Sequence, residues 1–176
     1  YVACSAELAS FIKAVPRAET TVVDAYLGPL MTEYLDGVSE ALSGGELLVM
    51  TSAGGLVSRG GYRPKDSLLS GPAAGVVGAA AVGKRAGLEK IIAFDMGGTS
   101  TDVSRFDGDY NYCQTHQVGR AHLMAPALKI ETVAAGGGSI CGFHGDLLFS
   151  GPQSAGADPG PACYGAGGPL TITDVN

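Results

Sequence analysis

Residues Ile91-Ile92-Ala93-Phe94-Asp95-Met96-Gly97-Gly98-Thr99-Ser100-Thr101-Asp102-Val103-Ser104 constrain the fold more than any other stretch of the chain. An apolar run ends on a carboxylate, two glycines and three hydroxyl residues follow, and a second carboxylate opens another strand-like run. Strands rich in β-branched and aromatic residues, joined by a turn that needs glycine, predict a β-hairpin. Such a tip can do more than reverse the chain. Glycine lets a ligand approach the backbone closely, bare N–H groups and hydroxyls bind oxygens, and carboxylates hold a hydrated metal. The hairpin by itself leaves two readings open: a clamp for phosphate with Mg²⁺, or an ordinary glycine-rich turn between two core strands.

Composition narrows the setting. The 176 residues suffice for one good core or two small lobes. Gly and Pro number 28 and 9, about a fifth of the chain, below the roughly 25–30% that marks low-complexity sequence. A net charge of −6 argues against nucleic acid, which rewards a basic face. It also means that any phosphate site must be built locally. The longest run of small apolar residues, 72–83, falls far short of the ~20 residues that a membrane span needs. Tyr1 opens the sequence without a start Met or a charged leader, which suggests a fragment or a processed product. Cys4, Cys113, Cys141 and Cys163 are scattered without a Cys-x-x-Cys pair, so reduced thiols in a cytoplasmic protein are the simplest reading.

Along the chain, residues 20–43 read as a helix with a capping-box-like start at Thr21 and Asp24. Pro29 is expected to kink it or to mark a break after Gly28. Residues 47–50 predict a short buried strand running into the loop Thr51-Ser52-Ala53-Gly54-Gly55. A small-residue helix over 72–85, with Ser70 as N-cap, permits close packing against another backbone. After the hairpin, Asp107-Gly108 signals a second tight turn into 110–113, which predicts a three-stranded meander over about 90–117. The remainder reads as loop-rich, with a second glycine cluster at Gly136-Gly137-Gly138-Ser139 and an irregular stretch from 150 to 168.

Several patterns imitate sites. Gly78-Ala79-Ala80-Ala81-Val82-Gly83-Lys84 fits the phosphate-loop spacing, but Arg85 stands where Ser or Thr should bind Mg²⁺, and the match lies inside a predicted helix. Gln153-Ser154-Ala155-Gly156 lacks the first glycine of a nucleophile elbow. His116, His122 and His144 show no ligand spacing, and Cys163 reads as a buried structural thiol. Glu131 and Asp158 stand beside glycine-rich loops and are further acid–base or metal candidates, although exposed carboxylates are far commoner. No residue stands out as the catalytic base.

A small-residue helix, then a strand, then Asp-x-Gly-Gly and a second Asp resembles the actin, Hsp70 and sugar-kinase ATPase superfamily. The match is closer to the hydantoinase A/5-oxoprolinase family, whose hairpin typically reads Asp-Met-Gly-Gly-Thr-Ser-Thr-Asp, as residues 95–102 do. Thr21–Tyr34, Ser52–Ser58, Ser70–Ala79, Ala135–Ile140, Gly151–Gly165 and Pro169–Asp174 resemble the family too, in order along nearly the whole chain.

The resemblance implies an α/β, actin-like ATPase (ribonuclease H-like) fold, present here in part. Residues 1–70 would end a first lobe, 71–88 would be a connecting helix, and 89–176 would start a second lobe. It implies ATP-dependent hydrolysis of a cyclic amide such as 5-oxoproline or a hydantoin. The alternatives are a small-molecule kinase, an acetone-carboxylase-type subunit, or a non-enzymatic ATP-driven interaction module. Carried over by position, Gly97, Gly98, Thr99 and Ser100 would bind phosphate oxygens. Gly136, Gly137, Gly138 and Ser139 would line the nucleotide cleft, and Asp95 and Asp102 would hold Mg²⁺ through waters. A hydantoinase B-type partner and oligomerisation are also implied. The chain departs from the superfamily in two ways: Gly71 replaces the chaperones' Glu before the connecting Pro, and no second Asp-x-Gly-Gly-Thr hairpin is present.

Overall fold

The computed structural model describes all residues, 1–176. In chain order the elements are α1 (Ser5–Leu8), α2 (Ala14–Ala41), β1 (Leu48–Met50), β2 (Leu56–Ser58), α3 (Ser70–Arg85), β3 (Ile91–Met96), β4 (Thr101–Phe106), β5 (Tyr112–Cys113), β6 (His116–Val118), β7 (Ala121–Leu123), β8 (Ala127–Leu128), β9 (Glu131–Val133), β10 (Ser139–His144), β11 (Leu147–Ser154) and α4 (Ile172–Val175). They fall into two compact units, Tyr1–Ile91 with Phe106–Lys129, and Ile92–Arg105 with Ile130–Asn176. No helix is long and apolar enough to cross a membrane.

The first unit is helical, with small antiparallel ladders. Its core mixes small and large side chains: Ala73 and Ala80 on α3 are fully buried, as are Leu123, Ala125 and Ala127, and Leu35, Tyr62, Phe106, Met124 and Leu128 are buried with them. Ala73, Val76, Ala80 and Gly83 recur along one face of α3, the stripe that a helix buries. Gly83 has no room for a side chain, because a Cβ there would collide with Ile91. That is the close packing its small residues predict. Ser70 is the first residue of α3 and not its N-cap; Leu69 takes the cap position without a side-chain bond.

Helix α2 corrects the sequence reading at three points. It begins at Ala14, six residues before the expected start. Thr21 is interior, donating its hydroxyl to the carbonyl of Arg17 at 2.8 Å, as hydroxyls do in mid-helix. Asp24 is no cap either. It is fully buried, accepting the backbone N–H of Lys65 at 3.0 Å and the Tyr1 hydroxyl at 2.7 Å. Burial, together with the bond to Asp24, pushes the Tyr1 phenol up to about 12. Pro29 lies inside the helix without ending it. Pro29 and Ala25, the residue whose carbonyl it leaves unbonded, are both exposed, so water can take that carbonyl. The sequence rules mistook this helix because its polar residues serve tertiary contacts: Thr20, also fully buried, accepts the N–H of Met124 at 2.9 Å.

The sheet around the hairpin also differs from the expected meander. Its order is β3-β4-β9. The four residues 97–100 joining β3 to β4 are too few for a parallel crossover, so the pair is a hairpin. The third strand comes from 131–133, paired antiparallel as Thr101↔Val133, Asp102↔Thr132 and Val103↔Glu131. The Asp107-Gly108 turn forms, with Gly108 at φ +101° and Phe106 bridging Tyr110, but Tyr112 and Cys113 then pair with Leu128 and Ala127. Strand β3 is not a core strand in this chain, since Ile92, Phe94 and Met96 are exposed.

The region read as loop holds the longest ladder of the second unit, the antiparallel pair β10–β11. His144 pairs with Leu147 across a two-residue tip with Gly145 at φ +62°. Gly145-Asp146 is the local signal that marks it. Cys163 is exposed and not buried, and all four cysteines are free.

Removing the Asp24 carboxylate leaves the buried N–H of Lys65 without a partner. Asp24→Ala is expected to cost about 1–3 kcal/mol of stability, whereas Asp24→Asn, which keeps an acceptor oxygen, costs less. Denaturant unfolding of the two variants checks this; equal losses would contradict the role of the acceptor.

Candidate phosphate-binding site

The ten residues carried over by the resemblance, and Glu131 and Asp158 as well, fall within the second unit. The tip of the hairpin is closed by the N–H of Gly97 donating to the carbonyl of Ser100 at 2.9 Å. The second glycine cluster lies against it. The N–H of Gly137 donates to the carbonyl of Gly97 at 2.9 Å, and the N–H of Gly138 donates to the carbonyl of Gly98 at 2.7 Å. Strand β9 makes this possible, because pairing with β4 delivers the chain to the tip just before Gly136.

These two bonds fix the direction of the tip's free donors. A trans peptide group is planar, with its C=O and N–H pointing to opposite sides. The carbonyl of Gly97 shares a peptide group with the N–H of Gly98, and the carbonyl of Gly98 shares one with the N–H of Thr99. Both groups are trans. Holding the two carbonyls against Gly137 and Gly138 therefore turns the N–H groups of Gly98 and Thr99 the other way. No hydrogen bond within the protein takes up the N–H of Gly98, Thr99 or Ser100. The result is a short row of outward donors, the kind of backbone concavity that binds oxyanions.

The glycines divide into two kinds. A Cβ on Gly136 would lie 2.7 Å from backbone atoms of Gly97 and Gly98; on Gly138 it would lie 2.9 Å from the carbonyl oxygen of Gly98; on Gly137 it would lie 2.6 Å from the hydroxyl oxygen of Thr173. Backbone stands in the way at 136 and 138, so the fold requires glycine there; at 137 the obstacle is a side-chain hydroxyl, which can turn away. Gly98 is different: it has no positive φ, and a Cβ there would meet nothing within 4 Å. Nothing inside the protein explains that glycine, whereas a ligand brought close to the backbone would.

The donors of the second cluster are consumed. Besides the bonds of Gly137 and Gly138, the N–H of Gly136 donates to Ser139 Oγ at 2.9 Å and the N–H of Ser139 to the carbonyl of Gly136 at 3.0 Å. Residues 136–139 thus hold the tip, and their own N–H groups are taken up within the protein. Ser139 is buried for the same reason.

Asp95 is exposed at the end of β3, while Asp102 on β4 accepts the hydroxyl of Thr132 at 2.7 Å. No cluster of three or more His, Cys, Asp or Glu side chains suits a metal ion. Mg²⁺ is compatible with the pair, because it usually keeps several waters and takes one or two carboxylates plus phosphate oxygens. Without a cation, the two carboxylates would repel a polyphosphate at the tip.

Sequence reasoning missed the outer supports. The carbonyl of Gly137 accepts both the N–H and the hydroxyl of Thr173, at 2.8 and 2.9 Å. Asp174 accepts the N–H groups of Thr171, Ala162 and Cys163, and the Thr171 hydroxyl. Desolvation pushes the Asp174 carboxyl up, but the bonds from Cys163 and Thr171 outweigh it and hold the group well below the usual carboxylate range. Its bracing is thus present above the unfolded carboxyl pKa, about 3.9, and is lost as pH falls through the depressed folded value. The pattern Thr171-x-x-Asp174 was the available signal, a capping box with Asp in the third place.

An outward row of N–H groups flanked by two carboxylates on a strand–turn–strand tip is a candidate oxyanion site on an α/β fold. The sequence profile described as hydantoinase/oxoprolinase matches residues 17–176, and the chain belongs to that family. It is 46% identical to the 5-oxoprolinase of Saccharomyces cerevisiae, over 100% of this chain and 14% of that protein. It is 35% identical to the caprolactamase subunit alpha of Pseudomonas jessenii, over 100% of this chain and 27% of that one. The crystal structure of the ATP-dependent caprolactamase from Pseudomonas jessenii superposes with a TM-score of 0.80 at 33% identity, covering 99% of this chain and 27% of the other. Nucleotide-free acetone carboxylase superposes at 0.77 with 28% identity, covering 97% and 25%. The expected α/β fold is therefore shared with parts of ATP-dependent enzymes, and the chain spans about a seventh of the 5-oxoprolinase it matches.

The two kinds of glycine predict different failures. Gly136→Ala is expected to lower stability by about 1–3 kcal/mol, since backbone must shift to admit the methyl group. Gly98→Ala should change stability by less than about 0.5 kcal/mol and weaken binding of Mg-ATP to the polypeptide that carries the chain by about tenfold or more. Thermal melts and calorimetric titration read both, and unaltered binding by Gly98→Ala would remove the tip as the contact point.

Proposed function

We propose that the polypeptide carrying this chain hydrolyses a cyclic amide of the 5-oxoproline or hydantoin type with ATP and Mg²⁺. The observation that carries the reading is the outward row of N–H groups at Gly98 and Thr99 between Asp95 and Asp102. The choice of a lactam-like substrate rests on the names of the relatives, a 5-oxoprolinase and a caprolactamase.

In this reading Gly97, Gly98, Thr99 and Ser100 hold phosphate oxygens through N–H groups and hydroxyls. Asp95 and Asp102 hold the hydrated Mg²⁺, and Thr132 fixes the Asp102 carboxylate by its 2.7 Å bond. Gly136–Ser139 keep the donors aimed. ATP supplies the phosphoryl group that makes an inert amide carbonyl open to water, and the protein's work is positioning and charge neutralisation. Residues 1–70 belong to the end of a first lobe, 71–88 to a connecting helix and 89–176 to the start of a second. A phosphate clamp needs a facing jaw, so the 176 residues alone do not turn over substrate. The name "subunit alpha" of the caprolactamase relative supports a partner subunit; in this reading that partner is of the hydantoinase B type and the assembly is an oligomer. A cytoplasmic setting suits both the ATP requirement and four free thiols.

The likeness to acetone carboxylase favours one rival, a carboxylating subunit on the same fold. Product analysis with the full-length polypeptide separates the two: ring opening with release of ADP supports the amidohydrolase, and a product that forms only with bicarbonate supports the carboxylase. At residue level, Asp95→Ala in the full-length polypeptide should abolish Mg-ATP-dependent activity without changing its melting temperature. Wild-type turnover by that variant would take Asp95 out of the site.

A further inference from the structure

The outer supports of the glycine cluster carry an inference that rests on the phosphate-binding reading and extends it. We propose that Thr173 is a positioning residue for the bound phosphate, acting through a relay of two peptide groups that ends at the N–H of Thr99.

The relay reads outward from α4. Thr173 grips the carbonyl of Gly137 with two donors, its backbone N–H at 2.8 Å and its hydroxyl at 2.9 Å. That carbonyl shares a peptide group with the N–H of Gly138, which donates to the carbonyl of Gly98 at 2.7 Å. The Gly98 carbonyl in turn shares a peptide group with the N–H of Thr99, which has no partner in the protein. Each planar trans unit carries direction from its carbonyl to its N–H, so fixing the first plane at Thr173 fixes the last donor. Polarisation runs the same way: each hydrogen bond accepted by a carbonyl strengthens the donor at the far end of its peptide group.

Two features suit Thr173 to this role. Helix α4 is one turn long and is tied down from outside by Asp174, which accepts N–H groups from Ala162 and Cys163 as well as capping Thr171. Thr173 therefore stands on a braced support. Moreover, a Cβ on Gly137 would lie 2.6 Å from the Thr173 hydroxyl oxygen, so the glycine makes room for this grip. The Thr173 side chain is exposed, and its backbone N–H remains after the hydroxyl is removed, so the effect of losing one donor is graded and not total.

The test compares Thr173→Val, Thr173→Ser and Gly137→Ala with the wild type in the full-length polypeptide. Calorimetry gives the affinities for Mg-ATP and for adenosine, which lacks phosphates, and thermal melts report folding. Thr173→Val should weaken Mg-ATP binding about three- to tenfold, the range of one net hydrogen bond, and leave adenosine binding unchanged. Thr173→Ser should restore it. Gly137→Ala, which displaces the hydroxyl, should reproduce the phosphate-specific loss. Wild-type Mg-ATP affinity in both Thr173→Val and Gly137→Ala would overturn the relay while leaving the tip as a binding site. Equal losses for Mg-ATP and adenosine, or a lowered melting temperature that Ser does not rescue, would show a merely structural residue and overturn it as well. Absence of Mg-ATP binding by the wild type would remove the site reading and the relay together.

Discussion

Two hydrogen bonds between glycines, Gly137 to Gly97 and Gly138 to Gly98, are the contacts on which the second unit's arrangement depends. They join the hairpin tip to the cluster that follows β9, and the peptide plane converts them into a direction for the donors at Gly98 and Thr99. Side chains could not do this work at the same distance. A methyl group at Gly136 or Gly138 would sit within 3 Å of the carbonyls being held. The requirement for glycine is thus steric in the second cluster, whereas at Gly98 the space left open faces outward.

The sequence made the tip legible because its signal is local. Carboxylate, Gly-Gly, hydroxyls and carboxylate occur in one run, and the flanking β-branched residues place that run on strands. The third strand was not legible, because β9 reaches β4 across 24 intervening residues and has only three of its own. Short strands carry little periodicity, and their partners are chosen by packing in three dimensions. The same blindness hid the contacts of residues 136–139 with the tip, which join backbone to backbone across a long stretch of sequence.

The first unit shows the converse problem. Thr20, Asp24 and Ser52 are fully buried polar residues that bind backbone groups far away in sequence. Ser52 alone accepts the N–H of Leu69 and donates its hydroxyl to the carbonyl of Asp66 at 2.8 Å. By pattern Asp24 looks like a cap residue and Ser52 like part of a glycine-rich loop. In the fold they satisfy buried backbone groups between elements, a use that only tertiary structure reveals. The small-residue stripe of α3 was easier, since periodicity and close packing are both written in its own residues.

Residue-resolved amide hydrogen exchange on the full-length polypeptide, with and without Mg-ATP, tests the central claim most directly. The arrangement predicts that the amides of Gly137 and Gly138 are protected before nucleotide is added, while those of Gly98 and Thr99 exchange freely and gain protection only with Mg-ATP. Rapid exchange at Gly137 and Gly138 in the free protein, with protection arising there on nucleotide binding, would contradict it, because those donors would then belong to the ligand and not to the tip.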